Sequence, residues 1–237
     1  MFQHLLNRVA KPDLIVDSHL IELDIPLMIH PVRDSGKIII IYPGYNSHID
    51  GYNNKYVKIA HLLTEQKIGT VIRSTNSEHP GFDYKISVKE DLKTIIHFAC
   101  SGTGICGKSN PEIYLMGTSA GASACAAVAY QFPSISKVLL IGTSMDAGSK
   151  DVEEGLSQFT GEIYMTGGDN DQIFDINSRE HLFHCTKNSK VRKLVEVPNC
   201  DHNFTGERNG RILSKAPLWA FANNITYPSP DGGIVLY

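Results

Sequence analysis

Glu112-Ile-Tyr-Leu-Met-Gly117-Thr-Ser119-Ala-Gly121-Ala-Ser-Ala-Cys-Ala-Ala-Val-Ala-Tyr-Gln-Phe132 is the stretch on which the reading of this chain turns. Ile113–Met116 is a continuous apolar run, the form of a strand buried on both faces of a parallel sheet. Ala120–Phe132 is small and Ala-rich, as a helix packed closely on such a sheet must be. Between them lies Gly117-Thr-Ser119-Ala-Gly121, a G-x-S-x-G pattern. A chain of this composition holds that pattern by chance about one time in eight, so its setting carries the weight. A sharp strand-to-helix turn lifts a serine hydroxyl above the sheet edge, and flanking glycines relieve the clashes of the turn. The plainer reading is a Gly-lined turn with a serine N-cap.

Working outward, the same strand form recurs at Lys37–Tyr42, Gly69–Arg73, Lys137–Ile141, Glu162–Thr166 and Lys193–Val197. Helix-length segments with one apolar face separate these runs: Tyr52–Gln66, Ile86–Cys100, Asp151–Phe159, Ile176–Cys185 and Gly210–Ala222. Ahead of them, His19–Asp24 and Leu27–Val32 read as an antiparallel hairpin, with a turn at Asp34-Ser-Gly36. Strand–helix alternation after such a hairpin predicts a three-layer α/β/α sandwich around a mostly parallel sheet. No repeat or linker divides the chain. Residues 1–237 are therefore expected to form one domain, with a core over 27–222 and a Pro/Gly-rich tail over 223–237. The tail's apolar tip suits packing on the body or on a second copy, which leaves a homodimer open.

Composition narrows the partners. The chain has 237 residues, 42% hydrophobic and 20% charged, with a net charge of −3. Lacking a basic excess, it is not expected to bind nucleic acid. No apolar stretch reaches the roughly 18 residues of a membrane span, and Met1–Pro12 lacks the apolar core of a signal peptide. Five scattered cysteines, an odd number, are expected to be free thiols in a reducing cytoplasm.

Gly102-Thr-Gly-Ile-Cys-Gly107-Lys108-Ser109 is a literal match to the phosphate-cradling G-x-x-x-x-G-K-S loop. That loop needs a strand before it and a helix opening at Lys-Ser, whose N–H groups hold the phosphate. Here a helical segment precedes it, and Asn110-Pro111 followed by a strand leaves no room for a helix. A structural helix-to-strand loop is the better account. Serine chemistry, by contrast, finds its partners. A serine needs a base, itself oriented by an acid, and in open parallel sheets such groups meet at the carboxyl ends of strands. Glu162–Thr166 runs into Gly167-Gly-Asp-Asn-Asp171, and Lys193–Val197 runs into Pro198-Asn-Cys-Asp-His202-Asn-Phe204.

With Ser119 in G-x-S-x-G, Asp171 closing a G-x-x-D turn and His202 in an Asp-His-x-Phe loop, the chain resembles the α/β-hydrolases over roughly Leu27–Ala222. Pro43-Gly44-Tyr45 is similar to that family's oxyanion loop, with Tyr42-Pro43 where the family usually has His. The resemblance implies an acyl-transfer enzyme, most often an esterase acting on a small-molecule ester or thioester. It makes Ser119 the nucleophile, His202 the base and Asp171 the orienting acid, with Asp169 a turn residue and the rival for that role. Backbone N–H groups of Tyr45 and Ala120 are the expected oxyanion donors. A peptide or amide hydrolase and an acyltransferase share these residues, and a non-catalytic binder shares the fold. Position alone makes Asn46, His48, Met145 and Phe174 candidates for the pocket wall. His181 and His184 lie at i, i+3 without a supporting carboxylate or Cys set, so no metal and no cofactor are expected. Only about 20 residues, Gly142–Gly161, separate two successive strands, too few for a cap domain.

Overall fold

The computed structural model describes residues 5–10, 14–16, 19–21, 24–101, 105–222 and 225–237. Strands β1 (Leu5–Ala10), β2 (Leu14–Val16), β3 (His19–Ile21), β4 (Asp24–His30) and β5 (Lys37–Tyr42) lead into helix α1 (Lys55–Glu65). Strand and helix then alternate: β6 (Thr70–Ser74), α2 (Tyr84–Cys100), β7 (Glu112–Thr118), α3 (Ala120–Val128), β8 (Ile135–Ile141), α4 (Ser149–Gln158), β9 (Glu162–Gly168), α5 (Ile176–Cys185), β10 (Val191–Val197) and α6 (Glu207–Phe221). Eight strands form the main sheet in the order β1-β4-β6-β5-β7-β8-β9-β10, while β2 and β3 pair as a separate ribbon. From β6 to β10 every neighbouring pair is parallel, and β4 is antiparallel to both β1 and β6.

The antiparallel N-terminal strands are present, but their partners differ from the expected hairpin. His19–Ile21 pairs with Leu14–Val16, and Asp24–His30 pairs with Leu5–Ala10. Ile25, Leu27 and Ile29 explain this. They alternate onto one buried face, so residues 24–30 must run as one strand and cannot hold a turn at Ile25-Pro26.

Continuous apolar runs give β5 and β7 two buried faces. Ile38, Ile40 and Tyr42 join the core under α2–α5, whereas Ile39 and Ile41 join the core under α1 and α6. Ile113 and Leu115 of β7 take the first side, Tyr114 and Met116 the second. The tail runs back over α6. Tyr227 stacks on Trp219 with centroids 4.7 Å apart, Leu236 is fully buried, and the Tyr237 hydroxyl donates to the carbonyl of Asn203 at 2.7 Å. Between β8 and β9, residues 142–161 carry α4 and no further domain. Among the described residues, no helix is long and apolar enough to cross a membrane. All five cysteines are unpaired.

Of the Gly102–Ser109 loop, residues 102–104 lie outside the described residues. The rest leads from α2 into the amino end of β7, where Gly36 N–H donates to the Cys106 carbonyl at 3.1 Å. The Lys108 side chain lies against Gly36, at the opposite end of the sheet from Ser119.

Candidate active site

Ser119 stands between β7 and α3 at φ 50°, ψ −120°, a conformation that costs a non-glycine residue about 1–3 kcal/mol. The turn is this tight because its neighbours have no side chains. A Cβ on Gly117 would lie 2.5 Å from Ala122 Cα, and one on Gly121 would lie 2.3 Å from the carbonyl oxygens of Tyr42 and Pro43. Glycine at both places lets α3 press on β7 and on the end of β5. The Ser119 N–H donates to the Ile141 carbonyl at 2.9 Å, pinning the turn to β8.

Two later strand ends bring in the partners. The Ser119 hydroxyl donates to His202 Nε2 at 3.0 Å, and His202 Nδ1 donates to Asp171 Oδ2 at 2.8 Å. With Nδ1–H committed to a carboxylate, Nε2 carries the free lone pair. Asp171 has no exposed side-chain surface, while His202 keeps 10% of its own. The other Asp171 oxygen accepts from the N–H groups of Ile173 and Phe174, at 2.9 and 3.0 Å. Asp169 points elsewhere and accepts the Cys200 N–H at 3.3 Å. Gly168 permits this approach of the β9 and β10 loops, since a Cβ there would lie 1.9 Å from the Cys200 carbonyl oxygen.

Behind Asp171 is a side chain that no sequence motif marks. Arg179, 1% exposed, reaches from α5 and donates to Asp171 Oδ2 at 3.3 Å and to the Phe174 and Gly168 carbonyls at 2.9 and 2.8 Å. Its Nε and Nη2 hold both Glu196 oxygens at 2.8 Å, a bidentate fork. Only the Arg179–Glu196 spacing across α5 and β10, a contact remote in sequence, could have signalled it.

On the other side of the serine, the β5 turn closes in. A Cβ on Gly44 would sit 3.3 Å from Ser119 Cβ, which places the Gly44-Tyr45 peptide beside the hydroxyl. Ala120 is the first residue of α3, so its N–H has no acceptor within the helix. Buried Asn76 fixes this turn, donating to the Pro43 carbonyl at 2.9 Å and accepting from the Tyr84 hydroxyl at 2.9 Å. Asn76 is a second residue that the sequence did not mark. The Tyr45 hydroxyl donates to Glu78, which raises its pKa.

A cavity of about 420 Å³ opens at Ser119, walled by Tyr45, Asn46, Tyr56, Ile173 and Phe204 among others. Of the four pocket-wall candidates, Asn46 is there and three are not. His48 turns outward, its Nδ1 accepting the Asp50 N–H at 3.2 Å. Met145 and Phe174 line an adjoining cavity of about 550 Å³ that shares Ile173. Their loops do reach the carboxyl end of the sheet, but position in a loop does not fix which way a side chain turns. Beside His202, burial pushes the Cys200 thiol up to about 12, so it stays protonated. Burial likewise raises Cys125.

No family model and no curated protein matches this sequence. Solved structures match its backbone. The esterase domain of a Rhodothermus marinus protein superposes with a TM-score of 0.63 at 17% identity, covering 89% of this chain and 95% of that one. Est1E from Butyrivibrio proteoclasticus does so at 0.65 and 14%, covering 88% and 95%. An alpha-beta serine hydrolase homologue from Coxiella burnetii gives 0.64 and 18%, covering 94% and 97%. Identities this low speak for the path of the backbone, and there the expectation raised by the motifs holds: this chain has the α/β-hydrolase fold.

Proposed function

We propose that the protein is a serine hydrolase that cleaves a carboxylic ester or thioester through an acyl-enzyme on Ser119. The observation that carries this is the unbroken line of hydrogen bonds from Ser119 Oγ through His202 to Asp171. In this reading His202 Nε2 takes the Ser119 proton as Oγ attacks the acyl carbonyl. The proton then passes to the departing alcohol or thiol, leaving the acyl group on Oγ. Water, deprotonated by the same nitrogen, repeats the attack and frees the acid. Asp171 holds the imidazole tautomer and stabilises the imidazolium. The Tyr45 and Ala120 N–H groups receive the oxyanion, where donors fixed before the reaction are worth most. The esterase and serine hydrolase neighbours support the same class of chemistry.

Two measurements test it. Wild-type protein should take a fluorophosphonate label on Ser119 and hydrolyse p-nitrophenyl acetate. Ser119→Ala should lower kcat by a factor of roughly 10⁴–10⁶, and adding His202→Ala should cost little more, because the pair acts as a unit. Equal turnover by wild type and Ser119→Ala would remove the assignment.

A further inference from the structure

Among the described residues, the wall of the Ser119 cavity carries no Asp or Glu side chain, and its one permanently charged group is Lys55. Lys55 is the first residue of α1, where the helix dipole disfavours positive charge and favours an acid. The first turn holds no acid, and Asn54 makes no side-chain cap bond. Among the described residues, no carboxylate lies within ion-pair distance of Lys55. Its ammonium instead sits 5.1 Å from the centroid of the Tyr56 ring. Nearby cations are differently employed: Arg73 is paired with Asp50 at 2.6 Å, and Lys58 donates to the Leu236 carbonyl at 3.0 Å.

Lys55 also stands where two cavities join. A second space of about 600 Å³ shares Tyr52, Lys55 and Asn203 with the first, continues to Thr205 and Tyr237, and among the described residues again has no acidic side chain in its wall. On the far side of Ile173, the adjoining cavity is walled by Asp83 and Asp146 against Lys85. Among the described residues, acidic side chains thus wall the space toward Met145, and none walls the space toward Tyr52, where Lys55 stands. Resting on the acyl-enzyme reading above, we propose that Lys55 is a specificity-determining residue and that the substrate is an ester carrying a free carboxylate. That carboxylate runs from Ser119 along the Tyr52–Tyr237 side and meets the Lys55 ammonium, with the Asn203 and Thr205 side chains as further donors.

Matched ester pairs test this on both sides of the scissile bond: mono-p-nitrophenyl adipate against p-nitrophenyl hexanoate, and para-acetoxybenzoate against its methyl ester. In wild type the anionic member of at least one pair should lead by about tenfold in kcat/KM, the scale of one charge-assisted hydrogen bond. The pair that responds tells which half of the substrate carries the charge. Lys55→Ala should bring that preference close to unity, and Lys55→Glu should reverse it. No anionic preference in either pair, or a preference indifferent to both substitutions, overturns the proposal. Adipate titrated into Ser119→Ala protein, followed by thermal shift, reads carboxylate binding apart from turnover. Stabilisation abolished by Lys55→Ala supports the site even if no ester is cleaved, and its absence at tens of millimolar adipate counts against it. The acyl-enzyme reading fails separately, through the fluorophosphonate label.

Discussion

Arg179 shows what one side chain does when it serves two carboxylates. Its guanidinium is 1% exposed and touches a wholly buried Asp171 and a Glu196 that is 22% exposed. Removing the guanidinium takes a buried ion-pair partner from both carboxylates, and breaking such a pair costs about 3–5 kcal/mol. Arg179→Met is therefore expected to lower the unfolding free energy by that amount, read from urea titration as the product of the midpoint shift and the m-value. It should also reduce kcat with little change in KM, since a loosened Asp171 misorients His202 without touching substrate. Arg179→Lys, which keeps the charge but not the fork, should fall between the two. If kcat falls only in proportion to the folded fraction, Arg179 is structural and does not position the acid. Cys200 gives a further check at this scale. With its thiol buried and pushed up to about 12, it should resist iodoacetamide at pH 8 in native protein and react once urea exposes it.

Among the elements, the β7–α3 turn is held by absent atoms. Gly121→Ala would set a methyl 2.3 Å from two carbonyl oxygens at the end of β5. Either α3 or the Gly44-Tyr45 turn must give way. Expected outcomes are a stability loss of about 1–3 kcal/mol and a fall in turnover of about a hundredfold, the price of a misplacement near 1 Å. Gly206→Ala meets nothing within 4 Å and bears only the strain of φ 90°, so it should lose stability and keep its turnover. Urea melts and p-nitrophenyl acetate rates separate the two cases. The parallel strands are legible in the sequence because burial on both faces leaves runs such as Ile38–Ile41 with no polar break. So is the meeting of Ser119, Asp171 and His202, because each follows a strand end on the same edge. Leu5–Ala10 is not legible: Asn7 and Arg8 interrupt it, and its place beside β4 is a pairing that periodicity does not encode. The same holds for Arg179, Asn76 and Lys55, whose meaning comes from neighbours distant along the chain, and for His48, Met145 and Phe174, whose loops reach the carboxyl end of the sheet but which do not line the Ser119 cavity.

For the molecule as a whole, the two ends of the sheet are expected to differ in kind. The carboxyl end carries the serine, and the amino end carries Lys108 against Gly36. ATP or GTP with Mg²⁺ should leave the melting temperature unchanged, whereas a nucleotide at 100 times its Kd would add about 2.7 kcal/mol. Lys108→Ala should not alter ester turnover. A nucleotide-dependent shift lost in that variant would restore the phosphate-loop reading of the sequence. The tail is a second whole-molecule matter. Removing residues 227–237 strips a fully buried Leu236 and the Tyr227 stack from α6, an expected loss of about 3–5 kcal/mol by urea titration.

Trp219 is the chain's one tryptophan. Its ring is stacked with Tyr227 at 4.7 Å and 16°, and Tyr164 meets it edge-on at 5.0 Å. All indole emission from this protein therefore originates at a single site, with one face roofed by the returning tail. Lifting that roof would admit water and shift the emission to the red while the sheet stays folded. Undocking would then be visible in a plain fluorescence scan as a step of its own, ahead of the loss of ellipticity, with no label attached. Tyr227→Ala should show the red-shifted spectrum already at room temperature.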